Sequence, residues 1–215
     1  MLASAWRRVA ELIVCSLALL VLSPVLVALG IAVWISDGFP IFFRQIRVGR
    51  NGRPFVLLKL RSMRTGKTGS QVTSAGDPRV TAVGKFLRRY KLDEIPQLWN
   101  VVRGDMSLVG PRPEVPEYVD REDPTWQAIL TRRPGITDLP TLVYRHEEEI
   151  LARSPHPDRC YREQILPDKL ALNLAYNRRS SFRQDLRLIL LSVWYSLWPA
   201  GFDADAIRAQ FLRDS

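Results

Sequence analysis

At 215 residues the chain is long enough for one folded core with an added membrane element, and its 47% hydrophobic and 25% charged content excludes a disordered polyelectrolyte. The net charge of +9 is unevenly spread: residues 1–103 hold 16 of the 31 Lys and Arg but only 5 of the 22 Asp and Glu. A basic half-chain calls for a polyanionic partner, whether nucleic acid, anionic lipid or a phosphorylated small molecule. Cys15 lies in an apolar run and Cys160 in polar surroundings, so no disulfide framework is expected and a reducing compartment fits.

From Leu12 to Ile35 no charged residue occurs, a run of about 24 residues where about 20 suffice to span a bilayer as a helix. A cleaved signal peptide, a single transmembrane anchor and a re-entrant hairpin that enters and leaves by one face compete for this segment. Two features favour re-entry. Pro24, in mid-run, removes a backbone donor and crowds the preceding turn, and the Ser23 hydroxyl beside it can take up the carbonyl set free. Basic residues also flank the run on both sides, Arg7 and Arg8 before it and Arg44, Arg47, Arg50 and Arg53 after it. The positive-inside rule then places both flanks in the cytoplasm.

Residues 40–48 and 54–60 are β-prone, and the Asn51-Gly52 pair between them predicts a hairpin. Residues 65–77, rich in Gly, Ser and Thr, predict a surface loop. A basic amphipathic helix is expected over 80–90, where Val83, Phe86, Leu87 and Tyr90 fall at helical spacing. Leu92-Asp-Glu-Ile-Pro96 interrupts it and opens a second helix to Val102. Gly110-Pro-Arg-Pro113 predicts a rigid loop, and Asp123-Pro124 the start of a helix to about Arg132. A second loop is expected over 133–137, then helices over 157–177 and 182–198. The last is dense in Leu, Ile and Trp and fits either a helix lying in a membrane interface or a buried core helix.

The candidate chemistry lies at the interrupted helix. Asp93 and Glu94 are adjacent carboxylates within a few residues of Arg88, Arg89 and Lys91. Such a pair is most often a solvated, salt-bridged surface. Held near cations at a proline-fixed break, however, a carboxylate stays ionised and can bind a hard divalent cation or attack phosphorus to give an acyl phosphate. Arg112, stiffened between Pro111 and Pro113, suits bidentate phosphate binding, although an exposed arginine on a structural turn has the same pattern. Lys59 and Arg61, beside the second β-prone run, are further phosphate candidates. Zinc-type Cys/His spacing, a Walker loop, G-x-G-x-x-G and G-x-S-x-G do not occur, which disfavours those enzyme classes.

Taken in order, several motifs carry a resemblance. They are Ser23-Pro24 in an apolar helix, Phe43-Arg-Gln with Arg47-x-Gly-x-x-Gly52, Lys59-Leu-Arg-Ser-Met63, Leu92-Asp-Glu-Ile-Pro-Gln-Leu-Trp-Asn100, Gly104-Asp-Met-Ser-Leu-Val-Gly-Pro-Arg-Pro113 and Pro134-Gly-Ile-Thr137. Together, and densely over residues 1–140, they resemble the bacterial sugar transferase family, the monotopic polyprenyl-phosphate phosphoglycosyl transferases of small single-domain type. The resemblance implies a mostly helical α+β fold: a re-entrant membrane helix over 1–36 kinked at Ser23-Pro24, then a cytoplasmic catalytic domain over 37–215 with a β-hairpin and interfacial amphipathic helices. It implies the cytoplasmic face of the bacterial inner membrane. It also implies a two-step reaction in which Asp93 attacks the phosphate bearing the sugar of a nucleoside diphosphate-sugar, and polyprenyl phosphate then takes the phosphosugar. Glu94 would help position Mg²⁺ or tune Asp93, so both carboxylates are candidate catalytic groups and metal ligands. Lys59, Arg88, Arg112 and, more weakly, Arg145 are the implied phosphate contacts. A homo-oligomer and association with glycosyltransferases of the same pathway are compatible with it.

After Thr137 the pattern changes, because many relatives continue with Gly-Trp-Ala-Gln where this chain has Asp138-Leu-Pro140. No sugar or nucleotide specificity is transferred from this region. Two rivals remain: a membrane-tethered basic binding domain, and a phosphohydrolase that delivers the phosphosugar to water. The first lacks any recognised nucleic-acid motif, and no nucleic-acid partner is expected.

Overall fold

The computed structural model describes residues 2–64, 72–199 and 202–213. The chain opens with helix α1 (Leu2–Asp37), followed by strands β1 (Phe42–Val48) and β2 (Pro54–Leu60), then helices α2 (Ala82–Arg89) and α3 (Gln97–Arg103). Strand β3 (Ser107–Val109), α4 (Pro124–Leu130), β4 (Gly135–Thr137), α5 (Leu139–Val143) and α6 (Glu147–Ala152) come next. The C-terminal part holds α7 (Pro157–Cys160), α8 (Leu166–Arg179), α9 (Phe182–Leu197) and α10 (Ala204–Arg213). This is the expected mostly helical α+β chain.

Helix α1 continues through Pro24 without interruption. Proline cannot donate to the carbonyl four residues back, and the Ser23 hydroxyl donates to that Leu20 carbonyl instead, at 2.7 Å. Residues Trp6–Asp37 form a helix long and apolar enough to cross a membrane, with mean hydropathy 2.8 over an 18-residue window. It is not a core helix: Leu20 and Val21 are 71% and 73% exposed. Only a narrow stripe is covered. Cys15 packs with Leu57, Val101 and Met106, and Val33 with Leu60 and Leu87. Each fully covered aliphatic side chain contributes about 1.5–3 kcal/mol, so the helix is fastened to the domain near both ends.

The hairpin follows its sequence signal. Strands β1 and β2 pair antiparallel in the register Phe42↔Leu60 to Val48↔Pro54. Asn51 and Gly52 both take positive φ (57° and 72°), the backbone of a primed turn that matches strand twist. Asn100 of α3 closes the outer edge of β2, accepting from the Leu58 N–H at 3.1 Å and donating to the Val56 carbonyl at 2.8 Å.

Residues 133–137 were expected as a loop, but Gly135–Thr137 forms β4, which pairs in parallel with β3 through Ser107↔Gly135 and Val109↔Thr137. The reason is close packing of glycines. A Cβ at Gly110 would lie 2.3 Å from the Arg133 carbonyl oxygen, and one at Gly135 would lie 2.2 Å from the Gly110 nitrogen. The helix expected over 157–177 is divided into α7, a π-helical turn at Tyr161–Ile165 and α8. Of the loop expected over 65–77, residues 65–71 lie outside the described residues, and 72–77 are irregular as expected.

One core gathers Tyr118, Trp126, Ile129, Leu151, Tyr161 and Ile165, and a second gathers Leu139, Leu142, Leu172, Leu188 and Phe211. Along α9 the apolar residues Phe182, Leu186, Leu190, Trp194 and Trp198 recur every four positions and are all exposed. Leu188 on the opposite face is fully buried. The buried-core alternative for 182–198 therefore holds for one face alone.

Candidate active site

The carboxylates sit on a short 3-10 turn, Leu92–Glu94, between α2 and α3. Lys91 enters it in the left-handed region (φ 56°, ψ 22°), a conformation that costs a non-glycine residue about 1 kcal/mol or more and reverses the chain sharply. Ile95-Pro96 then leads into α3, which Asn100 anchors on β2. The turn is thus held from both sides, and Asp93 and Glu94 are 5% and 8% exposed.

The two carboxylates have different surroundings. Glu94 Oε1 accepts from Lys59 Nζ at 3.0 Å and from Arg112 at 2.6 Å, and Glu94 Oε2 accepts a second, 3.4 Å bond from Arg112. Burial alone would raise the Glu94 carboxyl, but Arg112, Lys59 and Lys91 outweigh it and hold it well below the usual carboxylate range. Asp93 Oδ1 is buried without a hydrogen-bond partner. Burial pushes the Asp93 carboxyl above its ordinary value; Lys59 opposes this and the Glu94 charge adds to it. An unsatisfied buried acceptor costs about 1–3 kcal/mol, which a cationic or phosphorus partner would relieve.

Burial also lowers the Lys59 ammonium from its ordinary 10.5 to about 8, against the pull of Glu94. Arg112 is raised, chiefly by Glu94. Arg88 donates to Glu148 of α6 and lies 3.3 Å from the Met63 sulfur. Arg145 is lowered by burial, and its guanidinium donates to the Arg89 carbonyl at 3.4 Å.

Lys59, Arg88, Asp93, Glu94, Arg112 and Arg145 all line one cleft of about 670 Å³. A cleft of this size suits a small-molecule ligand. Arg61 borders it too, but its guanidinium donates to the Asp37 and Gly38 carbonyls at 2.5 and 2.6 Å and so caps the C-terminal end of α1. Ser23 and Pro24 are not among the cleft residues.

Other cleft residues escape the sequence reading. Arg47 approaches Glu114 at 3.7 Å, Tyr161 donates to Glu114 at 2.6 Å, and Lys169 pairs with Glu147. For Arg47 a signal existed: with period two along β1, Phe43, Gln45 and Arg47 share the face of Lys59, opposite Phe43. For Glu147, Glu148 and Lys169 there was none, since short helices after a loop bring them in.

A family model for the bacterial sugar transferase matches residues 2–198. The chain belongs to that family. Among its relatives is the UDP-glucose:undecaprenyl-phosphate glucose-1-phosphate transferase of Caulobacter vibrioides, 35% identical over 87% of this chain and 68% of the relative. The protein of the same name from Escherichia coli is 34% identical over 87% of this chain and 39% of its own length. Exopolysaccharide production protein ExoY of Sinorhizobium fredii is 36% identical over 68% of this chain and 73% of its own. The chain thus spans about two-fifths of the length of the Escherichia coli relative.

Proposed function

We propose that this bacterial sugar transferase moves a sugar-1-phosphate from a nucleoside diphosphate-sugar, of the uridine type, onto polyprenyl phosphate, and so opens the synthesis of an exopolysaccharide, O-antigen or glycoconjugate. The names of the relatives support the reaction class and the acceptor. One geometric observation carries the mechanism: a buried Asp93 oxygen with no partner, surrounded by cations that are themselves engaged through Glu94.

In the first step an Asp93 oxygen attacks the phosphorus that bears the sugar. The new oxygen–phosphorus bond replaces the bond to the nucleoside monophosphate, which leaves with the displaced electron pair. In the second step a polyprenyl phosphate oxygen attacks the aspartyl phosphosugar, and the Asp93 carboxylate is released. Arg112 and Lys59 each keep N–H donors beyond those given to Glu94, and these hold non-bridging oxygens as charge moves. Glu94 serves as their shared counter-charge and fixes where both point.

Mg²⁺ is commonly held by one or two carboxylates together with substrate phosphates. Among the described residues no three acidic, His or Cys side chains converge as a metal site. The Glu94 oxygens are taken, so Asp93 and the donor diphosphate would hold the ion, with Glu94 behind them. Bound there, it supplies neutralisation of the diphosphate and of the departing phosphate.

The membrane reading rests on α1. Near its start Arg8 donates to the Met106 and Val101 carbonyls at 3.0 and 2.6 Å, and Glu11 accepts from Ser107 at 2.5 Å. Near its end Val33 packs on Leu60 and Leu87. One domain thus holds both ends of a segment that, in a straight span, would be separated by about 30 Å of hydrocarbon. We infer that α1 enters and leaves by one leaflet, with the domain on the cytoplasmic face and the exposed stripe of α9 in the interface.

Purified protein given Mg²⁺, undecaprenyl phosphate and UDP-glucose or UDP-N-acetylgalactosamine is expected to release UMP and form a lipid diphosphate-sugar. Release of free sugar phosphate at a rate that ignores the lipid would instead support the hydrolase reading.

A further inference from the structure

The loop that carries Arg112 is held by a buried carboxylate from the loop beside it. Asp138 is 1% exposed and faces three N–H donors. Its Oδ2 accepts from the Arg112 backbone N–H at 2.8 Å and from Asn173 Nδ2 at 3.2 Å. Its Oδ1 accepts from the Thr141 backbone N–H at 2.7 Å, which caps α5. The cap requires one oxygen, and the second holds the backbone of Arg112, which lines the cleft.

Proline has no N–H, so Arg112 supplies the only backbone donor of the Pro111-Arg112-Pro113 segment. The β3–β4 pairing does not use it. That pairing ends with the Gly110 N–H on the Thr137 carbonyl at 3.1 Å and the Gly135 N–H on the Pro111 carbonyl at 3.0 Å. The Asp138 bond is therefore the one hold on the backbone N–H of the residue whose guanidinium meets Glu94. Since all three neighbours of Asp138 donate, both of its oxygens must accept. An asparagine would turn an NH₂ group toward at least one donor, and a serine could cap α5 but not also reach Arg112.

We propose that Asp138 is a positioning residue that acts through Arg112, setting where its guanidinium meets Glu94 and the donor phosphates. This rests on the reading of Arg112 as a phosphate-binding group.

The test is a double-mutant cycle of Asp138→Ser with Arg112→Ala, read as the single-turnover rate of UMP release from whichever UDP-sugar the wild-type protein uses. Melting curves confirm that each variant is folded. Asp138→Ser should slow release at least about tenfold when Arg112 is present and less than about twofold in the Arg112→Ala background, as for residues that act through one another. Equal losses in both backgrounds, or no loss from Asp138→Ser, would overturn the proposal. If Asp138→Ser does not fold, Asp138→Asn runs through the same cycle with the same criteria. A wild-type protein that is active and indifferent to Arg112→Ala would instead remove the reading of Arg112. A slow Arg112→Ala beside an unaffected Asp138→Ser removes only the role of Asp138.

Discussion

Glu94 and Asp93 are neighbours in sequence, yet their surroundings differ: Glu94 accepts from Lys59 and Arg112, whereas the buried Asp93 Oδ1 has no hydrogen-bond partner. Glu94→Gln would keep the shape but leave Lys59 and Arg112, which are 18% and 28% exposed at the side chain, without their shared counter-charge. Breaking a buried pair in this way costs about 3 kcal/mol, so the melting transition of Glu94→Gln should fall by several degrees as transfer is lost. An unchanged transition would mean that Glu94 does not organise the two cations. Lys59 gives a pH prediction. With its ammonium lowered to about 8, it is charged below that pH and neutral above it. Donor binding should weaken as pH rises through about 8, and Lys59→Arg should carry that basic limb upward. A limb that ignores this substitution assigns it to another group. The Asp93-Glu94-Ile-Pro96 junction could be singled out in the sequence as a candidate for cation or phosphorus chemistry, and it lies in the cation-lined cleft. The division of labour was not, because the partners that create it lie far along the chain on β2 and in the arginine loop.

At the scale of elements, local chemistry accounts for what could be read. Asn51-Gly52 forms the hairpin turn, Thr81, Asp123 and Ser181 cap α2, α4 and α9, and apolar spacing marks the amphipathic helices. The parallel pair β3–β4 could not be read, since three residues show no alternation and parallel partners meet only after a long crossover. Short α5 depends on the Asp138 cap and on its neighbours rather than on propensity. The glycines between these strands set the distance between Pro134-Gly-Ile-Thr137 and the arginine loop. Gly110→Ala should force the Arg133 carbonyl away and destabilise the fold by about 2 kcal/mol or more. Gly76→Ala is a poor control for space, since Gly76 has φ +83° despite open surroundings, and Ala75→Ser serves better. A Gly110→Ala protein as stable as wild type would contradict the tight crossing of the two loops.

For the whole molecule, the apolar helix and the basic first half fit one proposed design, in which a cleft lined by cations is joined to a helix long and apolar enough to enter a membrane. Trp6 packs on Phe182 with ring centroids 5.7 Å apart, and Arg7 lies 3.9 Å from Asp185. The start of α1 is thereby placed beside α9 as well as beside β3. Single cysteines at position 6 and at exposed Arg44, in a chain with Cys15 and Cys160 replaced by serine, test the topology. Both should resist an impermeant maleimide added outside intact cells and react after permeabilisation. Labelling of position 6 from outside would establish a spanning helix instead.

The claim on which the rest depends is that Asp93 carries the phosphosugar. Protein quenched after exposure to Mg²⁺ and a UDP-sugar, without lipid, should yield a peptide containing Asp93 heavier by one phosphosugar. Adding undecaprenyl phosphate before the quench should discharge it, and Asp93→Asn should never form it. UMP release and lipid product from a protein whose Asp93 stays unmodified throughout would contradict the account and point to direct transfer between the two substrates.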